Sequence, residues 1–289
     1  MTVRIATPRL SAEIDPQGAQ LWALSDGEGR DLLWDGDPAI WKGRAPILFP
    51  IIGALAEGQY RLEDATYCLP RHGFARDRLF QVVEASASSA SFRLEADDAT
   101  RAVYPFDFAL TLHFAIRDAA LTIAATIENR EAARDLPASL GFHPAFRWPL
   151  PYGRPRDAHR IRFERAEPAP VRRLDAAGLL LPRGFPTPIA GDTLTLRDDL
   201  FTDDALILDR VASRRVWYGA ADGPQIEVAF PDTPYLGLWS KPGAGFVCIE
   251  PWHGHADPQG PPGELTKKPG IVLVPPGGSK TCTMTVALV

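Results

Sequence analysis

The 289-residue sequence is poor in cysteine, in long apolar runs and in net positive charge, and each shortage excludes a class of protein. Its three cysteines, Cys68, Cys248 and Cys282, are odd in number and widely spaced, which favours a reducing cytoplasm over a disulfide framework or a CxxC metal site. A formal net charge of −5 argues against nucleic-acid binding through clustered Lys and Arg. The longest apolar run, 45–56, is broken by Pro50 and is shorter than the roughly 20 residues that span a bilayer. We therefore expect a soluble cytoplasmic protein that binds neither nucleic acid nor membrane.

Several signals and motifs are also missing. The opening MTVRIATPRLSAEID lacks the apolar stretch of a secretory signal, so export is not expected. There is no GxGxxG, Walker phosphate loop, HExxH or GxSxG motif. The sequence thus predicts no nucleotide cofactor, no metal and no serine nucleophile.

What the sequence does contain is an alternation of apolar residues with period two. In segment 106–116 every second residue is apolar, as a half-buried strand requires. The alternation resumes after 117–120 and runs from 121 to 127, so the two segments predict an antiparallel hairpin. The same pattern predicts further strands in 60–69, 81–94, 226–230 and 282–288.

Helical periodicity with capping signals is absent, and 28 prolines and 24 glycines separate the apolar segments. No shift in composition marks a domain boundary, so residues 1–289 are predicted to form one domain. The predicted fold is all-β, a large antiparallel β-sandwich of roughly fifteen or more strands with few short helices. The proline-rich segments 147–156 and 254–263 are predicted to be long loops at one end of a sheet, where a site would lie.

Two histidines lie in segments that restrict their backbone. His72 occurs in PRHGFARD, between proline, glycine and cations, and His143 occurs in GFHPAF, where Pro144 favours an extended backbone. Either histidine suits acid–base chemistry, and either equally suits a structural role in which the ring bonds to the backbone. Both are candidates for a site.

Two acidic residues are candidates as well. Glu250 ends the apolar run FVCIE on the same parity as Phe246 and Cys248, so its carboxylate is predicted to point toward an apolar face. Burial would raise the pKa of that carboxyl toward the range useful for a general base. Asp203, in FTDDAL, is a weaker candidate because acidic pairs in turns are usually solvated.

His253 and His255 raise the alternative of a metal site completed by Glu250. The spacing matches no familiar ligand pattern, so no metal is predicted. Among the seven tryptophans, Trp148 and Trp252 lie beside His143 and Glu250 in sequence. A flat aromatic face next to polar groups suits a sugar ring, so both are predicted to bind substrate.

Five blocks together resemble the aldose 1-epimerase, or galactose mutarotase-like, family in its divergent bacterial branch. They are RHGFARD at 71–77, GFHPAF at 141–146, CIEPW at 248–252, APILFPIIG at 45–53 and YLGLWS at 235–240. The blocks keep the family order and extend over nearly the whole chain. The resemblance implies a large β-sandwich with its site on one broad concave face.

By the same resemblance, His72 matches a substrate-positioning histidine, His143 the general acid and Glu250 the general base. Asp203 matches the acid that holds a sugar hydroxyl. The chain departs from the family at Ala54, where an arginine is common. The role of that arginine falls to Lys42, Arg44 or Arg76, or it is missing. Arg44 and Arg76 are therefore included among the predicted substrate-binding residues.

The resemblance implies a cofactor-independent isomerase that interconverts the α and β anomers of a hexose. Two alternatives on the same fold stay open: a non-catalytic sugar-binding or regulatory protein, and a mutarotase of hexose 6-phosphates served by Arg44, Arg71 and Arg76. A monomer or a homodimer is expected.

Overall fold

Alternating apolar residues form antiparallel strands throughout the chain, which the computed structural model describes over residues 1–289. The strands, in chain order, are β1 (Val3–Ala6), β2 (Leu10–Asp15), β3 (Gln20–Asp26), β4 (Ile47–Leu48), β5 (Gln59–Leu62), β6 (Ala65–Cys68), β7 (Gln81–Ala85), β8 (Ser89–Glu95), β9 (Phe108–Arg117), β10 (Ala120–Asn129), β11 (Leu136–Ala138), β12 (Leu140–Phe142), β13 (Ala145–Arg147), β14 (His159–Phe163), β15 (Thr193–Thr195), β16 (Leu206–Leu208), β17 (Arg215–Ala220), β18 (Ile226–Ala229), β19 (Tyr235–Trp239), β20 (Phe246–His253), β21 (Val272–Val274) and β22 (Ser279–Leu288).

Helical structure is limited to short turns, as the missing 3.6-residue period predicts. There is one α-helix, α1 (Asp98–Arg101), in which Asp97 and Thr100 form a capping box. Five 3₁₀ turns complete the elements, at Ala56–Gly58, Ala75–Asp77, Arg156–Ala158, Asp198–Phe201 and Leu265–Lys267. None of these helices has the length and apolar content needed to cross a membrane.

The predicted hairpins are confirmed. β9 pairs with β10, β5 with β6 and β7 with β8, each antiparallel. A nine-stranded sheet runs in the order β15-β14-β17-β18-β22-β10-β9-β8-β7. A six-stranded sheet runs β16-β19-β20-β12-β4, with β13 also paired to β20. Smaller sheets contain β1-β2-β3, β5-β6 and β11-β21.

The main hydrophobic core contains residues from both large sheets. Phe114 and Ile123 of the nine-stranded sheet and Leu238, Val247 and Ile249 of the six-stranded sheet belong to one buried cluster. Successive side chains of a strand point to opposite faces, so the alternate residues of the six-stranded sheet point away from this core. That second face carries the candidate site.

Candidate active site

The second face of β20 presents Cys248, Glu250 and Trp252, the residues that alternate with Val247 and Ile249 of the core. Phe246 and Cys248 pack in a small apolar cluster that includes Trp34, and Glu250 is only 1% exposed. The parity argument from the sequence therefore placed the carboxylate correctly, on an apolar face.

His143 lies directly beside Glu250 because of how β12 and β13 pair. Both strands pair with β20, and the dipeptide His143-Pro144 interrupts them where β20 passes through Glu250. Nε2 of His143 lies 3.1 Å from Oε2 of Glu250. The Trp41 ring stacks on the imidazole with 5.2 Å between ring centroids. Two residues more than a hundred positions apart thus form a buried pair.

His72 approaches the pair from the loop after β6. Its backbone is left-handed, with φ of 69°, and it is followed by Gly73 in the same region. Gly53 holds the histidine twice: the Gly53 N–H donates to Nδ1 of His72 at 3.1 Å, and the Gly53 carbonyl accepts from the His72 N–H at 2.9 Å. The rings of His72 and His143 meet edge to face with centroids 5.9 Å apart.

These side chains line one cavity of about 330 Å³. Aromatic and aliphatic groups form much of its wall, and its polar groups come from two histidines, two arginines and two acids. The lining residues are Trp41, Pro46, Ile52, Gly53, Arg71, His72, Arg76, His143, Leu174, Asp204, Ala205, Ile207, Trp239, Glu250, Trp252 and Ala256.

Burial changes the acidity of the central pair in opposite directions. Loss of solvent raises the pKa of Glu250 well above its ordinary value, and nearby Arg71 only partly opposes this. Loss of solvent lowers the pKa of His143 to about 3, with Arg71 and Arg76 adding to the effect. The pKa of His72 is lowered well below its usual value, first by burial and then by His143. In each case the neutral form is favoured.

Three polar atoms at the cavity have no hydrogen-bond partner of suitable geometry within the chain. They are Nδ1 of His143, Oε2 of Glu250 and Nε1 of Trp252. Because a buried polar atom without a partner costs about 1–3 kcal/mol, three of them in one cavity indicate a polar ligand rich in donors and acceptors.

Two glycines allow Trp252 to lie flat on the sheet. A Cβ on Gly237 would be 2.5 Å from the Trp252 ring, and one on Gly141 would be 2.7 Å from it. Gly237 pairs with Glu250 across β19 and β20, so the indole lies beside the carboxylate. Trp252 therefore forms a flat apolar wall next to the His143–Glu250 pair.

Three predicted substrate-binding residues lie away from the cavity. Trp148 is buried, donating from Nε1 to the Arg156 carbonyl at 2.9 Å beneath the Arg156 guanidinium. Arg44 stacks on Trp22 and donates to its carbonyl at 2.9 Å. Asp203 is exposed and lines an adjoining cavity. The prediction placed these three side chains at the site, and the structure places them outside this cavity. For Trp148, proximity to His143 along the chain did not determine the direction of the side chain.

The two predicted site loops also contribute little. Segment 147–156 provides no lining residue, and segment 254–263 provides only Ala256. The site is instead built on β20 and on the connections around His72, His143 and Asp204. The strand itself carries the central carboxylate.

Four of the charged and aromatic lining residues were not among the predicted site residues, although Arg71 was considered as a phosphate ligand. Asp204, next to the predicted Asp203, lines the cavity and lies 3.5 Å from Arg71. Trp239 belongs to the YLGLWS block, while Trp41 has no local signal in the sequence. Arg71 lies near Ala54: a Cβ on Gly178 would be 3.4 Å from the Ala54 Cβ and 3.5 Å from the Arg71 guanidinium.

The donor atoms that are suited to a metal differ from those weighed in the sequence. Atoms of His143, Cys248 and Glu250 lie within 4.8 Å of one another, and all three residues are buried. His253 directs Nδ1 to the Gly270 carbonyl at 3.4 Å, and His255 directs Nδ1 to the Ala256 carbonyl at 2.8 Å. Neither lines the cavity, so the structure does not gather His253 and His255 around Glu250 as the metal alternative requires.

The fold and cavity together define a class, the large β-sandwich proteins with a buried His–Glu pair in a cavity on one face of a sheet. Residues 1–271 match the family model described as aldose 1-epimerase. The chain belongs to the aldose 1-epimerase family.

Individual relatives agree with this assignment. Chromosomal Protein LacX of Lactococcus lactis subsp. lactis is 30% identical over 285 residues, which cover 96% of this chain and 95% of the relative. A galactose mutarotase-like protein from Lactobacillus casei ATCC 334 has a TM-score of 0.91 at 29% identity, covering 100% of both chains. A galactose mutarotase related enzyme from Lactobacillus acidophilus has a TM-score of 0.91 at 27% identity, covering 100% of this chain and 97% of that one.

Proposed function

We propose that this chain is a mutarotase, an aldose 1-epimerase that interconverts the α and β anomers of a hexose without a cofactor. The observation that carries the proposal is the buried His143–Glu250 pair, 3.1 Å apart, in a cavity with unpartnered polar atoms and flat aromatic walls. A hexose offers hydroxyls to the polar atoms and C–H faces to the indoles.

The pair suits the reaction because burial keeps both groups uncharged, with one proton on the Glu250 carboxyl and none added to the His143 imidazole. A sugar hydroxyl donating to Glu250 stabilises the carboxylate and moves that proton toward His143. Glu250 then removes the proton of the anomeric hydroxyl as the bond from C1 to the ring oxygen breaks, and His143 protonates the ring oxygen. The open aldehyde turns about its C1–C2 bond, and the reverse transfers close the ring on its other face.

The remaining lining groups hold the substrate in this scheme. His72, fixed by Gly53, donates near the ring oxygen, and Asp204 accepts from a sugar hydroxyl in place of the predicted Asp203. Arg71 and Arg76 bind hydroxyls at the mouth, and Trp252 stacks on the ring. Each step is a proton transfer or a bond rotation, so the scheme requires neither metal nor nucleotide.

Polarimetry on freshly dissolved α-D-glucose and α-D-galactose tests the proposal, with wild type beside Glu250→Gln. The wild type should accelerate the decay of rotation, and the variant should lose about 10²–10⁴-fold of that rate while its sugar-induced change in tryptophan fluorescence persists. Glu95→Gln, at an exposed position of β8, serves as the matched control and should keep full activity. Sugar binding without acceleration by wild type would instead identify a non-catalytic sugar binder.

A second candidate substrate is a hexose 6-phosphate, because two guanidinium groups, those of Arg71 and Arg76, line the same cavity. The same assay on α-D-glucose 6-phosphate distinguishes a phosphorylated substrate from an unphosphorylated hexose. If the phosphate is recognised, Arg76→Gln should raise KM for the phosphorylated sugar about tenfold and raise KM for glucose much less, because a hydroxyl lacks the ionic attraction of a phosphate.

A further inference from the structure

A buried ion pair lies outside the cavity, between Asp257 and Lys268. Lys268 is 6% exposed and Asp257 is 8% exposed, and the Lys268 ammonium donates to Oδ1 of Asp257. Neither residue lines the cavity of His143 and Glu250; both line a separate cavity of about 340 Å³. The proposed reaction does not use either group.

Asp257 holds the segment that follows Gly53. Its Oδ2 accepts from the Ala56 N–H at 3.1 Å, and its own N–H donates to the Ala54 carbonyl at 2.9 Å. The preceding residue, Ala256, packs against Gly53 so closely that a Cβ there would be 2.4 Å from the Ala256 Cβ. Lys268 thus fixes a carboxylate whose other oxygen and backbone fix residues 54 to 56.

The same segment orients the imidazole of His72. Gly53 donates its N–H to Nδ1 of His72 and accepts the His72 N–H at its carbonyl. A ring nitrogen that accepts a backbone N–H cannot carry a proton, so the proton of neutral His72 lies on Nε2. The direction in which His72 donates therefore depends on the position of Gly53.

We propose that Lys268 and Asp257 are positioning residues for His72, acting through the 53–56 segment to set its ring orientation and tautomer. A buried ion pair adds little net stability, because the cost of desolvation offsets the attraction, so its main effect here is to fix the position of this segment. The consequence for catalysis rests on the proposed mutarotase function. The effect on the ring orientation and tautomer of His72 does not depend on that function.

The direct test is the ring ¹⁵N NMR spectrum of His72, assigned by loss of its signals in His72→Gln. Wild type should show a single tautomer with the proton on Nε2. Lys268→Met leaves the Asp257 carboxylate without its counterion, and the His72 signals should move toward a mixture of both tautomers. The double variant Lys268→Met/Asp257→Asn leaves no unpaired buried charge, so it replaces the single variant if that protein does not fold. It should shift the His72 signals in the same direction.

Activity provides the second readout. If the chain is a mutarotase, Lys268→Met should lower kcat/KM about tenfold, mainly through KM, at a temperature where both proteins are fully folded. Arg93→Met, which breaks the Arg93–Glu128 pair of the nine-stranded sheet, is the matched control and should change neither KM nor the His72 signals.

The outcomes separate the two proposals. Unchanged His72 signals in a folded Lys268→Met protein would overturn the positioning role, whatever the activity. Absence of mutarotation by wild type, together with altered His72 signals in the variant, would refute the proposed function and support the positioning role.

Discussion

Glu250 and His143 carry opposite pKa shifts from one cause, the removal of both side chains from water. The charged form of each is disfavoured. The carboxyl therefore stays protonated up to a higher pH than usual, and the imidazole stays unprotonated down to a lower pH than usual. In the proposed reaction the pair of Glu250 and His143 holds a single proton. Its pH range is bounded below by addition of a second proton to the imidazole and above by loss of the proton from the carboxyl.

This predicts an unusual acid limb for the proposed activity. Because the pKa of His143 is lowered to about 3, kcat/KM should stay nearly constant between pH 7.5 and 5.5. A histidine of ordinary pKa, 6.5, would instead cost about tenfold over that interval. Polarimetry at each pH, with the uncatalysed rate subtracted, makes the comparison. A decline centred near pH 6.5 would contradict the buried, neutral state of the pair.

The neighbours Asp203 and Asp204 provide a matched comparison, since only the second lines the cavity. Asp204→Asn should raise KM about fivefold, the loss of roughly 1 kcal/mol for one hydrogen bond, and change kcat less. Asparagine tolerates the left-handed backbone of residue 204, where φ is 64°.

Asp203→Asn is the control and should leave both constants unchanged, because its side chain lines the adjoining cavity. The reverse result, a raised KM for Asp203→Asn alone, would support the prediction from the sequence that Asp203 binds a sugar hydroxyl.

At the scale of elements, β20 connects the core to the site. Val247 and Ile249 pack in the core between the sheets, whereas Glu250 and Trp252 line the cavity. The neighbouring strands β12, β13 and β19 bring the residues that surround Glu250. The glycine opposite Glu250 on β19, Gly237, leaves space for the Trp252 ring.

Replacing Gly237 by alanine should therefore displace Trp252 and lower kcat/KM at least tenfold. The new Cβ would be 2.5 Å from the indole, and overpacking of this kind typically costs about 1–3 kcal/mol of stability. Polarimetry measures the loss of kcat/KM, and tryptophan fluorescence measures the displacement of Trp252. Gly263→Ala, at a position with no heavy atom within 4 Å of the added Cβ, is the control and should be silent. Equal activity of both variants would show that Trp252 does not contact the substrate.

At the scale of the whole molecule, the buried histidines link folding to pH. The pKa of His72 is lowered in the fold, so on unfolding below pH 6.5 the imidazole takes up a proton that it does not hold when folded. Its contribution to the free energy of unfolding is complete above pH 6.5 and is lost as the pH falls.

Between pH 7.5 and 5.0 the wild type should lose up to about 2 kcal/mol more stability than His72→Gln, as measured by urea denaturation. Glu250 acts in the opposite direction, but it is present in both proteins and cancels in the difference. His113→Gln, at an exposed position of β9, should behave as the wild type does. An identical pH dependence of wild type and His72→Gln would show that His72 is not held neutral by burial.

The sequence alone determined the fold class, the hairpins and the direction of Glu250 toward an apolar face. These follow from period-two alternation, which is local: residues i and i+2 share a face wherever a strand forms. The segments 106–116 and 121–127 predicted β9 and β10 for this reason, and Phe246, Cys248 and Glu250 shared a parity that held in the sheet.

Only the tertiary structure decided which side chains meet. Trp148 and Trp252 look alike beside their candidate residues, yet one is buried under Arg156 and the other lines the cavity. Asp203 and Asp204 differ only by one step along a turn, and Trp41 reaches His143 from a loop without a local motif. The physical reason is that strand pairing and loop packing bring together residues that are far apart in sequence, and no local period records those contacts.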